Sequence, residues 1–181
     1  MSSVRPVLWA PLALIVLLLV LEGLLKAWAV ETLSPGINRP LMPGVLHLGF
    51  TYNTGMAWGL LGSFAVPLAI LRLLVGLGLI GALLMSRVRP LFTWPVALIA
   101  AGSIGNALDG LARGAVVDYL TSPLLDRVSN ILSSRPFPIF NLSDVLVCVG
   151  VAALLVASWW QERRTQRQTS PTPTTSLQEN I

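Results

Sequence analysis

Charge is what this chain has least of: only 11% of its 181 residues are Asp, Glu, Lys or Arg, against about 25% in an ordinary soluble domain. That composition cannot give the polar surface of a soluble globular protein. Cysteine is nearly absent as well. Cys148 stands alone inside an apolar run, so no intrachain disulfide can form and no thiolate metal cluster is available. One histidine, His47, lies in an alternating stretch read as surface, and a lone histidine does not make a metal site. The net charge of +4 comes from arginines near the ends of apolar runs. There is no basic stripe with interleaved aromatics of the kind that tracks a phosphate backbone, so nucleic acid is not an expected partner.

What the chain has instead is apolar length. Hydrophobic residues make up 54% of it, and its mean hydropathy is +0.75. Crossing the hydrocarbon core as helix takes about 20 apolar residues. Four stretches qualify: about Val7–Val30, Phe64–Ser86, Phe92–Leu111 and Val145–Trp160, the last two being short unless their polar-flanked ends are included. The expected fold is an all-α membrane protein, a four-transmembrane-helix bundle over residues 1–164 with a small β-containing element on the extracytoplasmic surface. The β element is read from Val45-Leu-His-Leu-Gly-Phe-Thr-Tyr, which alternates and carries aromatics. Residues 165–181, rich in Thr, Gln, Ser and Pro, are expected to form a disordered cytoplasmic tail. The first run resembles the apolar part of a signal peptide, but it is too long, ends in Glu22 and Lys26 and lacks a small-residue cleavage site, so it reads as a retained helix.

Arg5, Arg87, Arg89, Arg163, Arg164 and Arg167 fall on one side of this arrangement. Arginine-rich short loops mark the cytoplasmic face, so both termini are expected there. Two loops, about Glu31–Ser63 and Ala112–Asn141, then face outward; the second, with Thr121-Ser-Pro and Arg135-Pro-Phe-Pro, reads as an extended flap. Trp58, Trp94, Trp159 and Trp160 near the interfaces fit an aromatic belt.

Three carboxylates stand out where apolar segments end: Asp109, Asp118 and Asp144. A carboxylate near bilayer depth costs about 2.5–3.5 kcal/mol even on lenient insertion scales, so several facing one region point to work done there. Asn106 with Asp109, and Asn141 with Asp144, share a spacing that places amide and carboxylate on one helix face. If the intervening loop folds back, Asp118 approaches Asp144. Two carboxylates sharing a low-dielectric site hold one proton between them, giving a general base for water and an acid for the carbonyl oxygen or leaving amine. Taken alone, Asp118 is also readable as a wet loop residue, Asp144 as a helix cap and Asn53 as part of a turn before Gly55. Glu22 and Lys26 read most simply as an interfacial ion pair tethering the first helix to the surface loop.

Four blocks in order, Glu22-Gly-Leu-Leu-Lys26, Tyr52-Asn-Thr-Gly-Met-Ala-Trp-Gly59, Gly102 through Asp118 and Phe137 through Asp144, carry a resemblance. Over about Glu22 to Gly150 the chain resembles the bacterial lipoprotein signal peptidases, signal peptidase II, an aspartyl protease family. The resemblance implies that Asp118 and Asp144 are the catalytic pair, with Asn53, Gly102, Asn106, Asp109, Arg113, Asn141, Glu22 and Lys26 binding substrate or supporting the pocket. It implies cleavage of a diacylglyceryl-modified prolipoprotein before its lipidated cysteine, with no cofactor or metal, in the bacterial inner membrane; a monomer in contact with membrane lipids is expected.

The pattern is not matched everywhere. Glu22 replaces the usual Asp, Ser143 a usual alanine, and the interval from Asp118 to Asn141 is longer. Gly110 replaces an arginine that normally follows Asp109. Arg113 is expected to stand in for that arginine if the helix ends near Gly110, and Gly110→Arg is expected to rescue function in part. The alternative function is a noncatalytic lipoprotein-binding scaffold; an acid-lined channel fits less well, because the first two segments hold no mid-depth polar residue except Arg72. The topology has a direct check: reporters fused at either end should report from the cytoplasm, and a C-terminus reporting from outside would remove the four-span reading.

Overall fold

The computed structural model describes residues 9–55 and 64–169, with side chains as far as Gln166. In chain order it contains α1 (Trp9–Thr32), β1 (Arg39–Met42), β2 (Leu46–Asn53), α2 (Ala65–Leu84), α3 (Thr93–Arg113), β3 (Val116–Thr121), α4 (Pro123–Ser133) and α5 (Leu142–Thr169). Four of these helices, α1, α2, α3 with its preceding 3-10 turn, and α5, are long and apolar enough to cross a membrane. Trp58, the second half of the Tyr52–Gly59 block and positions 170–181 lie outside the described residues. Of the expected tail, the stretch up to Thr169 continues α5 as helix.

The spans begin where local chemistry allows. Pro67 of α2 and Pro95 of α3 sit in the first helical turn, where the missing N–H has no intrahelical partner to lose. Helix α3 stops at Gly114, whose φ of 69° turns the chain while its N–H returns to the Gly110 carbonyl at 3.1 Å. It is the hub of the bundle: α1, α2 and α5 all pack on it. The residues responsible are small. Ala97, Ala100, Ala101, Gly102, Gly105, Ala107 and Gly110 are buried, and small residues let helix backbones approach closely in the absence of a hydrophobic force between helices. Ile15, Leu83, Val96 and Leu146 complete this core. The outer faces, such as Leu17, Leu74 and Leu155, remain exposed as a lipid-facing helix requires.

At the end of the bundle where α1 and α3 finish and α2 and α5 begin lies an antiparallel sheet of order β1-β2-β3. The strand expected from the alternation is β2, and its two partners were not. β1 begins Arg39-Pro40, but proline is tolerated because this strand is at the sheet edge. β3 lies within the expected flap, and so does α4, so the flap reading is corrected. Ser122-Pro123 starts a helix there: the Ser122 hydroxyl accepts from the Leu125 N–H at 3.3 Å and Pro123 occupies the first helical position. Register pairs Thr51 with Asp118 and Asn53 with Val116. Ala29 and Leu33 of the α1 end pack under the sheet against Phe50, Val117 and Tyr119.

A Cβ added at Gly102 would sit 2.8 Å from Val147 Cγ2 and against the Ser143 carbonyl, whereas one at Gly78 meets nothing. Gly102→Ala is therefore expected to lower thermal stability by about 1–3 kcal/mol through overpacking. Gly78→Ala should instead be neutral or stabilising by up to about 1 kcal/mol from helix propensity. Equal effects in thermal unfolding of the two purified variants would show that α3 and α5 are not in close register.

Candidate active site

Asp118 reaches the interior because it sits in the middle of β3, between buried Val117 and Tyr119, with 2% of its surface exposed. Asp144 arrives from a different element, the first turn of α5. That turn is built by reciprocal capping: the Asn141 N–H donates to Asp144 Oδ2 at 3.1 Å, and the Asp144 N–H donates to Asn141 Oδ1 at 3.0 Å. The cap reading of Asp144 thus describes one of its oxygens. The other, Oδ1, accepts from Asn106 Nδ2 at 2.8 Å.

Asn141 also joins the two carboxylates. Its Nδ2 donates to Asp118 Oδ1 at 2.6 Å and to Asn106 Oδ1 at 3.0 Å. From β2, Asn53 Nδ2 donates to Asp118 Oδ2 at 3.1 Å while its Oδ1 accepts from the Gly55 N–H at 3.0 Å. The turn at Asn53 is thus compatible with its contact to Asp118. Asp118, Asp144, Asn53, Asn106 and Asn141 therefore form one hydrogen-bonded set drawn from β2, β3, α3 and α5. Asp118 is not a wet loop residue.

Below them lies a second network centred on Lys26. Its Nζ is 3.0 Å from Asp109 Oδ2 and 3.4 Å from Glu22 Oε1, and donates to Asn106 Oδ1 at 3.0 Å and the Gly105 carbonyl at 3.1 Å. Glu22 accepts from the Ser143 N–H at 3.2 Å and from the Tyr119 hydroxyl at 2.7 Å. The interfacial tether expected for Glu22 and Lys26 needs correction: both are buried, at 2% and 3% exposure, and they clamp α1 to α3, α5 and β3. Asp109 also accepts the Val117 N–H at 3.0 Å, which fixes the start of β3. Tyr119 was missed by the sequence reading, and nothing but its place after Asp118 marks it.

Gly110 does not end α3, which runs on to Arg113. Arg113 Nε does pair with Asp109 Oδ1 at 3.4 Å, from a side chain 42% exposed. Arginine at position 110 does not fit as expected. A Cβ there would lie 2.6 Å from Ala69 Cβ of α2, so that substitution must first push the two helices apart. Gly102 contacts no member of the hydrogen-bonded set through a side chain; its bare Cα lets α5 settle on α3. Among the described residues no three His, Cys, Asp or Glu side chains converge as a metal-ligand set.

Comparison with known proteins decides the family. The family described as Signal peptidase (SPase) II matches residues 14–160. The chain belongs to the signal peptidase II family. A lipoprotein signal peptidase of Deinococcus radiodurans is 44% identical over 162 residues, covering 88% of this chain and 84% of that protein. One from Gloeobacter violaceus is 34% identical over 172 residues, covering 94% and 92%. Two solved structures, described as bacterial membrane enzymes determined by the in meso method, share the fold. Their TM-scores are 0.73 and 0.69 at 21% and 23% identity, and they cover 91% and 87% of this chain and 95% and 97% of their own. Family and four apolar helices together make this a bacterial inner-membrane protein.

In this signal peptidase II family member the electrostatics of β3 are unusual. Burial, then the charge of Asp144, pushes the Asp118 pKa from its ordinary 3.8 up to about 7, against the opposing hydrogen bonds of Asn53 and Asn141 and the charge of Lys26. Tyr119 is pushed up as well, by burial and then by Glu22, so its hydroxyl stays protonated and donates to Glu22. Between pH 3.8 and about 7 the folded chain holds a proton on Asp118 that the unfolded chain has released, so stability falls as pH rises through that window. Thermal midpoints are expected to drop from pH 5 to pH 8 in the wild type and to drop less in Asp118→Asn. Equal drops in both would mean that this carboxyl ionises normally.

Proposed function

We propose that this chain removes the signal peptide from diacylglyceryl-modified prolipoproteins, cutting before the lipidated cysteine, with Asp118 and Asp144 as the catalytic pair. The observation that carries the reading is Asn141, whose side-chain amide holds Asp118 while its backbone N–H holds Asp144. Two carboxyl groups fixed on one residue can act on the same water and the same carbonyl. The matched relatives are named lipoprotein signal peptidases, which supplies the substrate class.

We assign the shared proton to Asp118, whose pKa burial and then the charge of Asp144 push up to about 7. Asp144 takes a proton from water, the hydroxide adds to the scissile carbonyl carbon, and Asp118 protonates the carbonyl oxygen. In the collapse Asp144 returns its proton to the amide nitrogen, the C–N bond breaks, and Asp118 recovers the proton from the hydroxyl as the new carboxyl forms. Both residues end as they began. Asn53, Asn106 and Asn141 orient the pair; Glu22, Lys26, Asp109, Arg113 and Gly102 hold the elements that carry it.

The arginines between α2 and α3 and at the end of α5 support a cytoplasmic location for that end of the bundle, with the sheet and the pair at the outer interface. A monomer whose α2 and α5 each pack on α3 can receive the substrate from the bilayer, leaving its acyl chains in lipid. No observation favours the scaffold alternative, since the hydrogen-bonded set around the pair is complete.

Asp118→Asn and Asp144→Asn are each expected to lower cleavage of a lipid-modified precursor by at least about 10²–10⁴-fold, the contribution of a positioned acid or base, while the protein still folds. Wild-type activity should decline above about pH 7 as Asp118 loses its proton. A wild-type chain that binds such a precursor without cutting it would instead establish the scaffold.

A further inference from the structure

Arg72 is a half-buried guanidinium within a membrane span. The face of α2 turned toward α3 is marked by its buried residues Ala69, Gly76 and Leu83, repeating at helical spacing. Ala69 lies against Gly110, and Gly76 against Ile104 and the Ala100 carbonyl. The two helices therefore run antiparallel in close contact. Arg72 follows Ala69 by three positions and precedes Gly76 by four, so it belongs to the same stripe. The level of α3 between Gly110 and Ile104 is that of Asn106, which donates to Asp144 Oδ1 at 2.8 Å. The Arg72 charge is felt at Asp144.

The charged and titratable groups around Asp144 can be sorted by element. β3 contributes Asp118 and Tyr119, α1 contributes Glu22 and Lys26, α3 contributes Asp109 and Arg113, and α2 contributes Arg72. Lys26 is matched by Glu22 and Asp109, and Arg113 by Asp109. Arg72 has no ion-pair or hydrogen-bond partner among the described residues. Among the described residues it is thus a cation at the level of the pair with no carboxylate paired to it.

We infer that Arg72 is a positioning residue that holds the negative charge of the catalytic pair on Asp144, leaving the shared proton on Asp118. The inference rests on the peptidase reading above and adds to it the device that separates base from acid in a pair of identical side chains. A guanidinium suits the task because it stays charged at any working pH and is more weakly hydrated than an ammonium, so it tolerates half-burial in a span.

The test uses the full chain in nanodiscs, cleaving a lipid-modified precursor between pH 5 and 9, as wild type, Arg72→Met and Arg72→Lys. Arg72→Met is expected to lower kcat about tenfold on the acid limb of the profile with KM little changed. It should also move the low-pH limb of the kcat profile upward by about one unit, the size expected of a nearby unit charge at protein-like dielectric. Arg72→Lys should keep the wild-type limb and most of the rate. An unmoved limb in Arg72→Met, or a change confined to KM, would overturn the inference, because a packing or substrate-contacting residue leaves the pair's ionisation alone. Should Arg72→Met not fold, Arg72→Gln against Arg72→Lys makes the same comparison with a polar neutral side chain. A wild type that cuts no precursor removes the peptidase reading and this inference with it, whereas an active wild type with an indifferent Arg72 removes the inference only.

Discussion

The Lys26 ammonium determines the orientation of everything above it. An ammonium can only donate, so Asn106 must present Oδ1 to Lys26. Its Nδ2 then has to point the other way, at Asp144. With Asn106 Oδ1 fixed as an acceptor, Asn141 must turn Nδ2 toward it, and that same amide group reaches Asp118. Asn141 Oδ1 is left facing the Asp144 N–H, which closes the cap of α5. One buried cation thus sets two amide orientations and the donors received by both carboxylates. Removing a partner from such a buried ion pair typically costs about 3–5 kcal/mol, because the other charge is left uncompensated. Here it would also free the amides to flip.

That chain of donors needs α1, α3 and α5 within hydrogen-bonding distance of one another, which explains the small residues of α3. Gly105 lies against Ser143 and Glu22 at the point where all three helices meet. A side chain there would separate Glu22 from the Ser143 N–H that it accepts. Glutamate, one methylene longer than the aspartate usual in the family, spans from α1 to both the start of α5 and the Tyr119 hydroxyl of β3. At Gly110 the same logic runs toward α2: the missing side chain lets Ala69 close in, and that approach brings Arg72 to the level of Asn106.

The spans, β2 and the two Asn/Asp pairs were legible in the sequence because each rests on a local signal: apolar length, alternation, or spacing on one helix face. The depth of Glu22 and Lys26 was not. An i,i+4 ion pair looks the same at an interface and in a core, and only the partners from α3 and α5 distinguish them. β3 was hidden because its strand character depends on pairing with β2, some sixty positions earlier. α4 was hidden by its proline, read as a turn although Ser122 and Pro123 together form a helix start. Gly110 misled in the same way. Glycine as a helix stop was the right idea placed one turn early, since Gly114 has the left-handed conformation and Gly110 serves packing instead.

A chain with so few polar side chains has none to reserve for catalysis alone, and its site residues accordingly serve two functions each. Asp144 caps α5 with one oxygen and accepts Asn106 with the other. Asn53 closes a turn through its oxygen and holds Asp118 through its nitrogen. Asp109 anchors β3 to α3 while balancing Lys26. Loss of activity in variants of these residues therefore does not separate chemistry from folding. The two come apart only where a property belongs to the proposed catalytic pair itself, namely which carboxyl holds the proton at a given pH. For Asp118 it is governed first by the burial of β3, then by the charge of Asp144, and is opposed by Lys26 of α1. The ionisation of the pair, more than the presence of its members, is thus the quantity through which this fold acts on its chemistry.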